Sequence, residues 1–266
     1  MLKAIVAHVL RIAALVVLSA LALQLFFALR VATMRVVDPQ STTFQRSEAW
    51  RLLVQKHSIA WSQQWADYPR ISDHLKRAVI ASEDAGFSEH SGVEWDALEK
   101  AWERNQRAEA RIEKINAQID RRLQKAPPRT AAASGAKPAA HMQAKVVGGS
   151  TITQQLAKNL FLNGERNLLR KGQEFAITLM LEACLPKQRI LEIYLNNVEW
   201  GEGVFGAEAA ARHYYRTSAA GLSTGQAAQL AVMLPAPKRF EKRPGSAYVV
   251  GRAGTIAARM GGVELP

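Results

Sequence analysis

Three polar clusters in this chain carry residue types that could do chemistry. The first is EDAGFSEHSG, residues 83–92, with Glu83 and Asp84 adjacent and Phe87, His90 and Gly92 beyond them. A carboxylate beside an apolar wall has its ionised form disfavoured and can serve as a general acid or base. His90 is placed to orient or contact such a group. Solvated surface acids with a structural histidine would give the same local sequence.

The second cluster is GGSTITQQLAKN, residues 148–159. Ser150, Thr151, Thr153, Gln154 and Gln155 crowd what reads as the first turn of a helix. Free backbone N–H groups and hydroxyls there suit an anion or a sugar. Lys158 follows one turn after Gln154. The cluster lacks the spacing of a P-loop or of a dinucleotide-binding turn, which argues against a nucleotide enzyme. The third cluster is RNLLRKGQE, residues 166–174. Arg166, Arg170 and Glu174 share one helical face, and Lys171 lies three residues before Glu174. This pattern fits ordinary helix salt bridges. It equally fits a clamp for a diphosphate with one carboxylate beside it.

The elements that must position these groups are mostly helical. Ser72 is a good N-cap for DHLKRAVIASED, which puts Glu83 and Asp84 at a C-terminal end where the helix dipole disfavours negative charge. Thr151 and Gln154 form a T-x-x-Q capping box. Further helices are expected from about Arg166 to Leu185, over KQRILEIYLNN, and around residues 205–215 and 223–234. Residues 93–125 read as a long, highly charged helix with a thin stripe of Ile112, Ile115, Ile119 and Leu123. An Ala/Pro-rich linker follows. Residues 31–70 form a mixed segment in which Trp50, Trp61 and Trp65 suit either lipid headgroups or the protein core. No sustained alternation, internal repeat or βαβ pattern is visible, so the fold class is mainly α.

Composition sets the outer limits. The chain has 266 residues and a formal charge of +12, from 35 basic and 23 acidic side chains. This excess favours a polyanionic partner: nucleic acid, an anionic bilayer or a phosphate-bearing substrate. The single cysteine, Cys184, excludes an intrachain disulfide and reads as a small side chain on a buried helix face. Ile12–Leu29 carries no formal charge and is bracketed by Arg11 and Arg30. Its length approaches that of a membrane span and exceeds that of a cleaved signal's apolar region. Lys3 and Arg11 before it are nearly balanced by Arg30 and Arg35 after it, so charge alone leaves its orientation open.

Taken together, four motifs resemble the glycosyltransferase domain of peptidoglycan polymerases, glycosyltransferase family 51. E-D-x-x-F-x-x-H-x-G appears as EDAGFSEHSG, and G-G-S-T-I-T-Q-Q-x-x-K-N as GGSTITQQLAKN. R-K-x-x-E appears as RKGQE, and K-x-x-I-x-E-x-Y-L-N as KQRILEIYLN. They occur in family order, and the resemblance spans about residues 60–240. It implies a lysozyme-like helical lobe with a smaller membrane-adjacent jaw, preceded by one transmembrane helix. The expected organisation is a cytoplasmic tail over 1–11, an anchor over 12–30 and a glycosyltransferase domain over 31–266 with an insertion at 106–143. No transpeptidase domain is expected.

By the same resemblance, Glu83 and Glu174 are the catalytic residues, Glu83 as general base. Ser150, Gln154, Lys158, Arg166, Arg170 and Lys171 bind substrate and diphosphate. Asp84, His90, Glu192 and Asn196 support them. The implied reaction polymerises lipid II with inversion and release of undecaprenyl diphosphate. No cofactor is required, and magnesium or manganese is compatible with the site. The implied partners are lipid II, the growing glycan strand, membrane lipids and cell-wall synthesis or division proteins, with no nucleic acid. The implied location is the bacterial inner membrane, with the catalytic domain in the periplasm. One departure is Gln226, where glutamate is frequent in the family. Two rivals stand beside this reading: a lysozyme-like glycan hydrolase using Glu83 against water, and a basic membrane-associated scaffold with no chemistry.

Overall fold

A computed structural model describes residues 2–125, 149–162 and 167–266. The chain is mainly α and divides into two compact units. One comprises residues 1–93 with 151–266, and the other residues 94–150.

The first unit opens with α1, Leu2–Thr33, which runs unbroken through the expected tail and anchor. It is long and apolar enough to cross a membrane. Helix α2, Thr43–Lys56, follows. A reciprocal capping box between Thr42 and Gln45 starts it: the Thr42 hydroxyl accepts from Gln45 N–H, and the Gln45 side chain accepts from Thr42 N–H. Helix α3, Asp73–Glu83, is capped by Ser72 as the sequence predicts. It buries Leu75, Ala78, Val79 and Ile80, the apolar stripe of an amphipathic helix.

In the same unit, α5 spans Ile152–Phe161, α6 Leu168–Cys184 and α7 Lys187–Asn197. They are followed by α8, Ala207–Tyr215, α9, Thr224–Met233, α10, Pro237–Phe240, and α11, Ala247–Arg259. Helix α3 packs against α9 and α11, while α5 packs against α2, α6 and α7. The largest fully buried side chains include Trp200, Tyr194, Phe87 and Phe205. Burial of each contributes roughly 2–3 kcal/mol of hydrophobic stabilisation. Helix α6 starts at Leu168 rather than near Arg166, because the Asn167 side chain caps it by accepting from Arg170 N–H.

A small sheet also occurs, which the search for alternation passes over. Strands β1 (Ser62–Gln63), β2 (Glu199–Gly201) and β3 (Val204–Phe205) lie in the order β1-β3-β2. Ser62 pairs with Val204 in parallel, and Glu199 with Phe205 antiparallel. Strands this short leave no periodic trace in a sequence. Trp61 stacks on Phe205 with ring centroids 4.5 Å apart, and Trp65 packs on the core beneath the Arg189 guanidinium, while Trp50 is exposed. Gln226 does what glutamate would do at its position. It closes a capping box with Ser223, its side chain accepting from Ser223 N–H at 3.0 Å.

The second unit contains α4, Trp95–Lys125. Trp95, Leu98 and Trp102 are exposed on it, and Ile112, Ile115 and Ile119 are partly buried. Residues 126–143 of the expected insertion lie outside the described residues.

Two residues of the fourth motif, both on α7, pin the segment leading into α3. Asn196 is fully buried. Its Oδ1 accepts from Ala66 N–H at 2.7 Å, and its Nδ2 donates to the carbonyls of Ala66 and Glu192, each at 2.9 Å. Glu192 accepts from Tyr68 N–H and pairs with Arg189. An alanine at 196 would strand the buried Ala66 N–H without a partner. Asn196→Ala is therefore expected to lower unfolding stability by about 2–3 kcal/mol, read from denaturant curves in detergent. An unchanged midpoint would contradict this role.

Candidate active site

The first two motifs meet through Asp84. This residue caps the C-terminal end of α3 and is buried, with both carboxylate oxygens engaged. Oδ1 lies 2.7 Å from His90 Nε2, and Oδ2 accepts from the backbone N–H of Ile152 at 2.9 Å. The Ile152 N–H is one of the unpaired donors at the start of α5, where a negative charge is favoured. His90 Nδ1 accepts from Gly92 N–H at 3.1 Å. That bond assigns the ring proton of the neutral tautomer to Nε2, which donates to Asp84.

Gly92 completes the turn at a φ of +85°. A Cβ there would fall 2.8 Å from both Thr178 Cγ2 and Glu182 Cγ. Its carbonyl accepts from the Thr151 hydroxyl at 2.7 Å. EDAGFSEHSG is thus fastened to the start of α5 at two points, Asp84 to Ile152 and Gly92 to Thr151.

This fastening sets the position of Glu83, the last residue of α3. Its carboxylate is partly buried, and Oε2 accepts from Gln155 Nε2 at 3.0 Å. Gln155 Oε1 accepts in turn from the Tyr194 hydroxyl at 2.9 Å. Tyr194 is 1% exposed, on α7. Desolvation is the main influence on Glu83 and raises its pKa above the ordinary carboxylate value. The hydrogen bonds from Gln155 and Ser82 oppose the shift, the charge of Asp84 adds to it, and Lys158 opposes it. Burial also holds the Tyr194 hydroxyl well above its usual pKa, with the Glu83 and Asp84 charges adding to the effect, so it remains a proton donor.

The second-motif residues divide between the cap of α5 and contact with Glu83. Gln154 is buried and closes the capping box with Thr151. It is the neighbouring Gln155 that reaches Glu83, and sequence reading did not single it out. Nor did it single out Tyr194, although both lie inside quoted motifs. Lys158 is exposed on α5 and close enough to act on the Glu83 charge. Ser150 is exposed and belongs to the second unit.

On α6, Glu174 is 4% exposed and lies between two cations. Oε2 accepts from Arg170 Nη1 at 3.1 Å, and Oε1 is paired with Lys171. The Arg170 Nε is buried and has no hydrogen-bond partner among the described residues. It is a spare donor on a trio whose two cations share one carboxylate, which leaves one positive charge in excess. Arg166 lies outside the described residues.

A half-desolvated carboxylate held by an amide, and a separate cationic cluster on a neighbouring helix, are the parts of a polar group transfer. The sequence comparisons agree with that chemistry. The transglycosylase family model matches residues 53–122 and 127–261. The chain belongs to the transglycosylase family.

It is 50% identical to the biosynthetic peptidoglycan transglycosylase of Cupriavidus metallidurans, over 96% of this chain and 97% of that protein. It is 47% identical to the protein of the same name from Paraburkholderia phytofirmans, over 95% and 91%. The Bordetella pertussis protein of that name is 46% identical over 100% of this chain and 94% of its own length.

Gln155 stabilises the ionised form of Glu83, so removing it should push the Glu83 pKa further up. In Gln155→Leu, the acid limb of the pH–rate profile should move to higher pH, with activity recovering as pH rises. An acid limb that stays in place or moves down would show that this hydrogen bond does not tune Glu83.

Proposed function

We propose that this enzyme polymerises lipid II into glycan strands, with Glu83 as the general base. The 4-hydroxyl of the acceptor sugar attacks the anomeric carbon of the donor from the face opposite the diphosphate. Glu83 accepts the hydroxyl proton as the new C–O bond forms. The bond from the anomeric carbon to the diphosphate oxygen breaks, its electron pair leaves with undecaprenyl diphosphate, and the configuration inverts. A diphosphate leaves without being protonated if its charge is met, so one base and one cationic cluster suffice. The paired acid and nucleophile of a retaining glycosidase are not needed.

The observation that carries this reading is the environment of Glu83. Burial raises its pKa, which makes it a stronger base than an exposed glutamate, and Gln155 orients it. Lys158, Arg170 and Lys171 receive the diphosphate in this scheme, joined by Arg166, and Ser150 borders the substrate; Gln154, expected beside it, is instead committed to the cap of α5. Glu174 holds Arg170 and Lys171 in place, which keeps their charge positioned before the donor arrives. Both Glu174 oxygens are committed to cations, a donor set poorly suited to magnesium or manganese without loss of those pairs. No metal or other cofactor takes part in the proposed transfer.

The remaining assignments follow the same reading. Residues 12–30 anchor the enzyme in the inner membrane, residues 1–11 lie in the cytoplasm and residues 31–266 form the periplasmic glycosyltransferase domain, with an insertion at 106–143. Its partners are lipid II, the growing strand, bilayer lipids and proteins of cell-wall synthesis or division. Anchoring holds the enzyme in the plane that carries its substrate. The cationic excess serves a lipid diphosphate and an anionic membrane rather than nucleic acid.

The direct experiment incubates full-length protein in detergent with labelled lipid II. The parent should form strands. Glu83→Gln should lose roughly 10²- to 10⁴-fold in rate while keeping its circular dichroism spectrum. Equal polymerisation by both proteins would overturn the assignment of Glu83. Glu174→Gln leaves Arg170 and Lys171 without their counter-charge and should also lose most activity.

A further inference from the structure

Helix α1 meets the catalytic helix α6 through a polar contact inside the most apolar part of the chain. Gln24 lies within the uncharged run 12–29, six residues before Arg30, or roughly 9 Å along the helix axis. Its side-chain amide pairs reciprocally with that of Gln173. Gln24 Nε2 donates to Gln173 Oε1 at 2.8 Å, and Gln173 Nε2 donates back to Gln24 Oε1 at 3.1 Å. Towards the C-terminal end of α1, Phe27 meets Phe161 edge-on at 5.3 Å, and the Arg30 guanidinium lies 5.1 Å from the same ring. Val31 and Met34 are buried. Arg189, beyond the end of α6, donates to the carbonyls of Met34 and Val37.

These contacts run in the same order along both segments: residue 24 with 173, then residues 34 and 37 with 189. The N-terminal end of α6 therefore points the same way as the N-terminal end of α1, towards the interior of the apolar run. That end of α6 carries Leu168 and Leu169, which are 91% and 89% exposed. Arg170 and Lys171 follow directly, and Gln173 is the residue before Glu174. Two bare leucines next to cations, on the side facing a membrane span, match a surface that dips into acyl chains while its charges stay at the phosphates.

We propose that the Gln24–Gln173 pair is a depth-setting latch: it holds the first turns of α6 at the lipid headgroups, with Leu168 and Leu169 in the bilayer and the Arg170–Lys171–Glu174 trio just above them. This rests on the reading of α1 as a membrane anchor. Gln24 is then a positioning residue, acting through Gln173 on the adjacent trio. Each amide donates to the other and accepts from it, which ties the height and the phase of α6 to α1 at the headgroup level. The pair resists both sliding and rotation of α6 along α1. It thereby keeps the cationic cluster at the height where a lipid-linked diphosphate travels.

The test uses full-length protein carrying Cys184→Ala, in phosphatidylcholine–phosphatidylglycerol vesicles containing nitroxide-labelled lipid. A fluorophore is attached through Leu169→Cys or, as a control within the anchor, Val16→Cys. In the parent, the lipid nitroxide should quench both labels. Gln24→Leu should reduce quenching at position 169 at least twofold and open that label to aqueous iodide, with position 16 unchanged. Gln173→Leu should do the same, and the double substitution should do no worse than either single one, as expected for partners in one contact. A label at 169 that only iodide reaches in the parent, or one whose lipid quenching survives Gln24→Leu, would overturn the latch. Loss of quenching at position 16 would instead overturn the anchor.

Discussion

The site depends on the two bonds of one buried carboxylate. Asp84 accepts from the first turn of α5 with one oxygen and faces the His90 ring with the other. An unpaired charge at that position would cost several kcal/mol. Here the helix N-terminus and the histidine satisfy it, and the strands of chain that supply them are held together as a result. Glu83 is the next residue back along α3, so the same joint that satisfies Asp84 brings the Glu83 carboxylate to Gln155 on α5. Tyr194 extends the chain of hydrogen bonds to α7. Three helices thus define the direction of one carboxylate.

The adjacent acids have opposite environments, and this separates their tasks. Asp84 accepts a backbone N–H at a helix start and faces a ring N–H. Glu83 accepts from a neutral amide while partly removed from water, which makes its charge less comfortable and its carboxylate more basic. The Arg170 and Lys171 cations lie on α6, where both pair with Glu174. Had they touched Glu83 directly, they would have lowered its basicity. Lys158 does so as a minor influence. The chain thus keeps a weakly solvated carboxylate at the end of α3 and, separately on α6, two cations that share one carboxylate.

Much of this was legible in the sequence wherever local chemistry dictates local structure. Ser72, Thr151 and Ser223 begin helices because their hydroxyls satisfy first-turn N–H groups, and the acidic pair at the end of α3 stands out against the helix dipole. Helix α2 was signalled equally well by Thr42 and Gln45 but was read as part of a mixed segment. Helix α11 carries Gly251 and Gly254, which weaken a helical pattern. Strand β1 arises from pairing with β3 about 140 residues away in sequence, and β2 and β3 are too short for any local pattern to record. At the site, the resemblance put Gln154, and not its neighbour Gln155, among the substrate-binding residues. Only the helical phase of α5 separates Gln154, turned back to its own cap, from Gln155, turned to Glu83. The Gln24–Gln173 pair was illegible because its partners are 149 positions apart.

The central claim is that Glu83 works as an ionised base whose surroundings make proton acceptance easier. The most direct measurement is the rate of lipid II polymerisation against pH at low substrate concentration, for the parent and for Glu83→Gln. The parent rate should fall as pH drops through a single group titrating above the ordinary glutamate range, and the residual rate of the variant should lack that limb. A parent profile that stays flat down through the ordinary carboxylate range, or a limb of the same midpoint in the variant, would contradict the account.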